Sequence, residues 1–129
     1  MSFELRVFLK LMKNFKKLKV WQQGMELVLK TYQLAKQLPS EEKFGLRSQI
    51  TNSSVSIPSN IAEGSAKSGK RDYVRFLEIS LGSAYELETQ VLIIDMLQLG
   101  DKTLIESLLK DVDEEQKMLQ RFILTVGAP

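Results

Sequence analysis

Between Tyr73 and Ile94, the residues Tyr73, Leu77, Ser80, Ala84, Leu87, Val91 and Ile94 recur at alternating steps of four and three. That spacing keeps them on one face of an α-helix and excludes a strand, whose faces alternate every two residues. A stripe about six turns long has to be covered by other helices, and its 3.5-residue average favours near-parallel packing at about 20°. Phe76, Ile79 and Leu81 flank it. Gly82, Ser83 and Ala84 put small side chains in mid-helix, where they are expected to let a neighbouring helix come close.

Three other segments show helical spacing. Trp21, Met25, Val28, Tyr32 and Ala35 form the first predicted stripe, which stops at Leu38 because proline at 39 disfavours helix in the residue before it. Ser40-Glu41-Glu42-Lys43 reads as a cap and acidic first turn for the next helix. That helix carries Leu46, Ile50, Ser53, Ile57 and Ile61. It is also crowded with Ser, Thr and Asn, and Pro58 removes a backbone bond, so periodicity alone predicts a break near Ile57. Gly64 reads as its C-cap and Lys67-Ser68-Gly69 as the connecting turn. After Leu99-Gly100-Asp101, a last helix carries Leu104, Ile105, Leu108, Leu109, Val112, Leu119, Phe122 and Ile123. Short linkers make consecutive helices antiparallel neighbours, so the pattern predicts an all-α, antiparallel up-and-down four-helix bundle over residues 15–126. Residues 1–14 are set apart as an extension. Phe3, Leu5, Val7, Leu9 and Leu11 alternate like a strand, whereas Phe8, Met12 and Phe15 fit a helix, and Met12 is a second candidate start.

The chain has 129 residues, no cysteine and no histidine. Without them there is no disulfide framework, thiolate metal site, Ser-His-Asp triad or HExxH zinc site, and a carboxylate di-iron centre lacks its imidazoles. No metal, cofactor or catalytic residue is therefore expected, and the chain reads as non-enzymatic. Gly64-Ser65-Ala66-Lys67-Ser68-Gly69-Lys70 satisfies the spacing of a P-loop, but Arg71 stands where Ser or Thr must bind Mg²⁺, and the preceding residues are helical rather than a strand. Ser-x-x-Lys occurs at Ser40–Lys43 and Ser107–Lys110 in charged surroundings that do not suit a low-pKa lysine. The longest apolar run in the body of the chain, Val91-Leu92-Ile93-Ile94, is far short of a membrane span. Lacking an uninterrupted apolar leader segment as well, the chain is expected in the cytoplasm, where the Asn52-Ser53-Ser54 sequon carries no meaning.

A net charge of +2 conceals an asymmetry. Residues 1–20 carry six Lys or Arg against Glu4, whereas residues 78–115 carry ten acidic groups against Lys102 and Lys110. Lys13, Lys16, Lys17, Lys19, Arg47, Lys67, Lys70, Arg71 and Arg75 form a candidate phosphate-binding set, read against ordinary solubilising charge. Trp21 reads as a core anchor at the end of the bundle.

Phe15-x-x-Leu18-x-Val20-Trp21-Gln22, Leu38-Pro39-x-Glu41, Phe44-Gly45-Leu46-x-x-Gln49-Ile50 and above all Ser56-Ile57-Pro58-Ser59-Asn60-Ile61-Ala62-Glu63-Gly64 carry a resemblance. Tyr73-x-x-Phe76-Leu77-x-Ile79 and Gly82-Ser83-Ala84-x-Glu86-Leu87-Glu88 extend it. Together they resemble the bacterial four-helix-bundle family named for proteins encoded in intervening sequences of large-subunit ribosomal RNA genes. The resemblance implies a homopentameric barrel and a second helix that continues through Pro58 with a kink. It also implies structural roles for Ile57, Pro58, Asn60, Ala62, Glu63, Gly64, Gly82, Ser83 and Glu86, with Asn60, Glu63 and Glu86 in a polar network within or between subunits. A related retroelement accessory protein uses a basic pentamer surface to engage nucleic acid; here Thr51-Asn52 stand where the family often has Arg. The expected function is an accessory protein binding RNA or DNA with low sequence specificity. The competing expectations are a scaffold for a protein partner and a membrane-surface role for the basic N-terminal segment.

Overall fold

The computed structural model describes residues 2–129. Five α-helices and no strand occur among them: α1 (Phe3–Lys13), α2 (Lys19–Gln37), α3 (Leu46–Ser65), α4 (Lys70–Met96) and α5 (Lys102–Gly127). Single 3₁₀ turns at Phe15–Lys17 and Ser40–Glu42 precede α2 and α3. The segment left open between strand and helix is thus helical as α1, with Ser2 accepting a hydrogen bond from the Leu5 N–H at its start. Helices α2 to α5 enclose one core, with α2 against α3 and α5, and α4 against α3 and α5.

The α4 stripe is buried at every one of its positions from Tyr73 to Ile94, and so are Ile50, Ser53, Ile57 and Ile61 of α3. In α2 Ala35 is buried as expected, but the rest of the expected stripe is displaced by one residue. Val20, Gly24, Leu27, Thr31 and Leu34 face the core, while Met25 and Tyr32 are exposed. The true stripe was disguised because two of its members are Gly24 and Thr31. The threonine hydroxyl is satisfied in the core by donating to the Leu27 carbonyl at 2.7 Å. Trp21 is only half-buried and meets Phe15 edge-on, with ring centres 5.3 Å apart.

Helix α3 runs unbroken through Pro58, so the break expected near Ile57 does not occur. Proline has no N–H to give the Ser54 carbonyl, but the neighbouring helix supports this stretch. The Ser80 hydroxyl donates to the Ile57 carbonyl at 2.9 Å, and the Ser56 and Ser83 hydroxyls meet at 2.8 Å. Ser53 Oγ lies 2.8 Å from Gln90 Oε1 and 3.0 Å from Glu86 Oε1. Two of the residues that weaken helix propensity, Ser53 and Ser56, therefore form the α3 side of a polar seam with α4. Asn60 contributes locally, its amide donating to the Ser56 carbonyl at 2.8 Å, whereas Glu63 is exposed.

Other local expectations need correction. Glu42, not Ser40, caps α3, its carboxylate accepting from the Leu46 N–H at 3.0 Å. Gly64 lies inside α3, where a Cβ would stand 2.9 Å from Phe76 Cβ, so it permits close approach to α4 rather than ending the helix. Gly82 opens onto free space on the outer face of α4, so within this chain it admits no neighbouring helix. Asp101 caps α5, accepting from the Leu104 N–H at 2.8 Å.

Glu115 lies wholly within the core among these helices, and neither carboxyl oxygen has a hydrogen-bond partner among the described residues. Gly24 makes room for it: a Cβ there would stand 3.0 Å from Glu115 Oε2 and 3.4 Å from Pro58 Cβ. Burial disfavours the charged form and pushes its pKa from 4.5 up to about 8. The unfolded chain sheds this proton near pH 4.5 and the folded chain only near pH 8. Between those values the folded state holds the extra proton, so this group's contribution to stability falls as pH rises. Calorimetric melting should show a Tm that drops between pH 5 and pH 8.5. Glu115→Gln should flatten that drop and raise Tm at pH 8 by roughly 5–10 °C, corresponding to about 2 kcal/mol. A Glu115→Gln variant less stable than the parent at pH 8 would contradict the neutral-acid assignment.

Candidate nucleic-acid interface

The direction of each helix determines where the basic residues meet. α2 starts at the end of the bundle where α3 finishes, α4 starts and α5 finishes. Side-chain contacts fix this end: the Lys13 ammonium donates to the Lys67 carbonyl, and the Lys70 ammonium to the Ala128 carbonyl. The Tyr73 hydroxyl donates to the Met12 carbonyl at 2.6 Å, tying the last turn of α1 to α4. Burial raises the Tyr73 pKa, so the phenol stays a donor.

Lys13, Lys16, Lys17, Lys19, Lys67, Lys70, Arg71 and Arg75 therefore share one end and its adjoining flank, although they come from well-separated parts of the chain. Lys67 Nζ and the Arg75 guanidinium both lie 4.8 Å from the centre of the Phe76 ring. The Phe76 ring thus brings two long cationic side chains near one place. Arg75 also has an exposed partner in Asp72 at 3.8 Å, a contact too solvated to neutralise the patch. Arg71 and Lys70 border a shallow depression with Val74 and Gly127. Lys19 borders another with Phe122 and Arg121. Arg121 was missed by the sequence reading. Its signal was its place in the last turns of α5, which return to this end.

Arg47 does not belong to the set. It stands in the first turn of α3, at the opposite end, and its guanidinium donates to the Leu38 carbonyl at 2.5 Å, closing the exposed end of α2. Its Nε is buried without a partner among the described residues. The P-loop-like run from Gly64 to Lys70 spans the last turn of α3 and a four-residue turn, not a strand followed by a loop. Lys43 is exposed near Phe44, and Ser107 accepts from Lys30 at 2.8 Å rather than serving Lys110. No helix of the described residues is long and apolar enough to cross a membrane.

Residues 16–121 match the family described as 23S rRNA-intervening sequence protein. The chain belongs to that family. A crystal structure at 1.70 Å resolution, of a protein of unknown function from the S23 ribosomal protein family of Bacteroides thetaiotaomicron, is similar in fold and sequence. The two superpose with a TM-score of 0.74 and 28% identity, over 81% of this chain and 94% of that one. Curated proteins yield no match. The family match begins two residues beyond the α1 C-cap, Asn14. Within the matched region Arg47 is a helix-end clamp. Arg47→Ala should lower stability by about 1–2 kcal/mol, because the Leu38 carbonyl loses its charged donor. In the same variant, nucleic-acid affinity measured by fluorescence anisotropy should not change.

Proposed function

We propose that this family member is a non-enzymatic, oligomeric accessory protein that binds RNA or DNA through the basic end of its bundle, with low sequence specificity. The observation that carries this reading is the meeting of Lys13, Lys16, Lys17, Lys19, Lys67, Lys70, Arg71 and Arg75 at that end. Cations gathered from separate chain segments meet a phosphate backbone as point charges and guanidinium forks, a sequence-independent mode of binding. The family's description names 23S rRNA, which makes ribosomal RNA the first nucleic acid to try.

In this reading α2 to α5 form the antiparallel four-helix unit, and α3 bends at Pro58. Exposed apolar side chains support assembly: Met25, Leu29 and Tyr32 on α2, and Ile79, Leu92 and Ile93 on α4. The resemblance makes a homopentamer the expected assembly, and the open space at Gly82 on the outer face of α4 suits close contact with another subunit. Those same apolar faces favour a second reading, a scaffold for a protein partner, in which nucleic acid has no part. A partner retained after nuclease treatment and at moderate salt would mark that reading.

The deciding experiment is anisotropy of labelled structured RNA and duplex DNA titrated with protein at several salt concentrations. Affinity should fall steeply with salt, and Lys70→Glu with Arg71→Glu should weaken it about tenfold or more while helicity is kept. Lys43→Glu at the opposite end should leave affinity unchanged. If the Lys70 and Arg71 double variant binds as the parent does, the assignment fails.

A further inference from the structure

Between α1 and the facing ends of α4 and α5 lies a cavity of about 440 Å³, within the size range of small-molecule sites. Leu5, Phe8, Leu9 and Met12 of α1 form one wall, and Tyr73 and Val126 of the bundle form the other. The Tyr73 phenol is committed to the Met12 carbonyl and the Thr125 hydroxyl to the Arg121 carbonyl, and with Ser68 as the other hydroxyl residue the lining is mostly apolar. Lys13 and Lys70 also line the cavity. Each ammonium spends one N–H on a backbone carbonyl and keeps two to offer. An apolar interior flanked by two cations matches a ligand with an apolar body and an anionic head.

We propose that this cavity binds a single-chain amphiphile with an anionic head, of the fatty-acid class, its chain against Leu9 and Met12 and its head between Lys13 and Lys70. A neutral chain would fill the same space without engaging either ammonium, and a cationic head would be repelled. One wall of the site is α1, which lies outside the family-matched residues, so the site is a feature of this chain's N-terminal helix joined to the bundle end. Occupancy also draws on two lysines of the basic end. A bound anion would lower the charge that end presents to nucleic acid. The binding itself does not depend on the nucleic-acid reading.

The test is displacement of a dansyl-labelled fatty acid from the full chain, with no nucleic acid present, by three twelve-carbon probes below their micelle concentrations: laurate, dodecanol and dodecyltrimethylammonium. Laurate should compete saturably at one per chain. Dodecanol should compete at least about tenfold more weakly, the loss expected for one charge-assisted hydrogen bond, and the trimethylammonium compound weaker still. Lys13→Ala with Lys70→Ala should bring laurate down to the level of dodecanol and leave dodecanol unchanged. Leu9→Trp, which fills the cavity, should abolish displacement by both, with circular dichroism confirming that each variant is folded. Equal affinity for laurate and dodecanol would overturn the assignment of the head. Absent saturable binding, or normal binding to a folded Leu9→Trp variant, would overturn the site.

Discussion

The turns joining α2 to α5 are short, and the chain has to reverse direction at each one. This constraint decides which charged groups meet at the ends of the helices. The segment before α2, the α3–α4 turn and the end of α5 all return to the same end, whereas the α2–α3 and α4–α5 turns share the other. At that second end the Asp101 N–H reaches Gln37 Oε1 at 2.7 Å, and Gly100, at φ +76°, sits so close to Leu34 that a Cβ would stand 2.7 Å from its Cδ1. A positive φ and a close approach together require glycine there. Connectivity thus brings basic residues remote in sequence to one end, while Asp95, Asp101 and Glu106 lie toward the other together with Lys43, Arg47 and Lys102.

A second constraint lies in the core. Pro58 withholds a donor from α3, Gly24 withholds a side chain from α2, and Glu115 occupies the space between them. A carboxyl group without hydrogen-bond partners is tolerable in that position as a neutral acid, since burying the charged form costs far more. Nearby, the α2 lysine Lys30 is already engaged by Asp111 and Ser107 of α5, so the cation one turn away is spent on another carboxylate. The polar seam between α3 and α4 works differently, because nearly every hydroxyl there has an oxygen within reach. Satisfied polar groups such as Ser80 fix the register of two helices, whereas Glu115 makes stability depend on pH.

The α4 stripe was legible because its seven positions are filled by residues whose size and polarity suit burial. The α2 stripe was not, because Gly24 and Thr31 interrupt the apolar signal and Met25 and Tyr32 supply a competing one. Pro58 argued for a break that the packing of α4 overrides through Ser80 and Ser83. Of the basic set, only Arg47 was misplaced: its charge is visible in sequence, but its use on the Leu38 carbonyl depends on the geometry of the α2–α3 turn. Arg121 and Glu115 were invisible for a related reason. Helical spacing gives the face of a residue, but not which end of a neighbouring helix it adjoins or which missing side chain makes room for it.

The most direct test of the basic end as the binding surface is amide hydrogen exchange of the protein with and without a saturating structured RNA. Protection should appear in residues 13–20 and 66–75 and in the last turns of α5, and be absent from residues 38–47 and 97–102. Protection centred on that opposite end, or on the outer faces of α2 and α4 alone, would contradict the account.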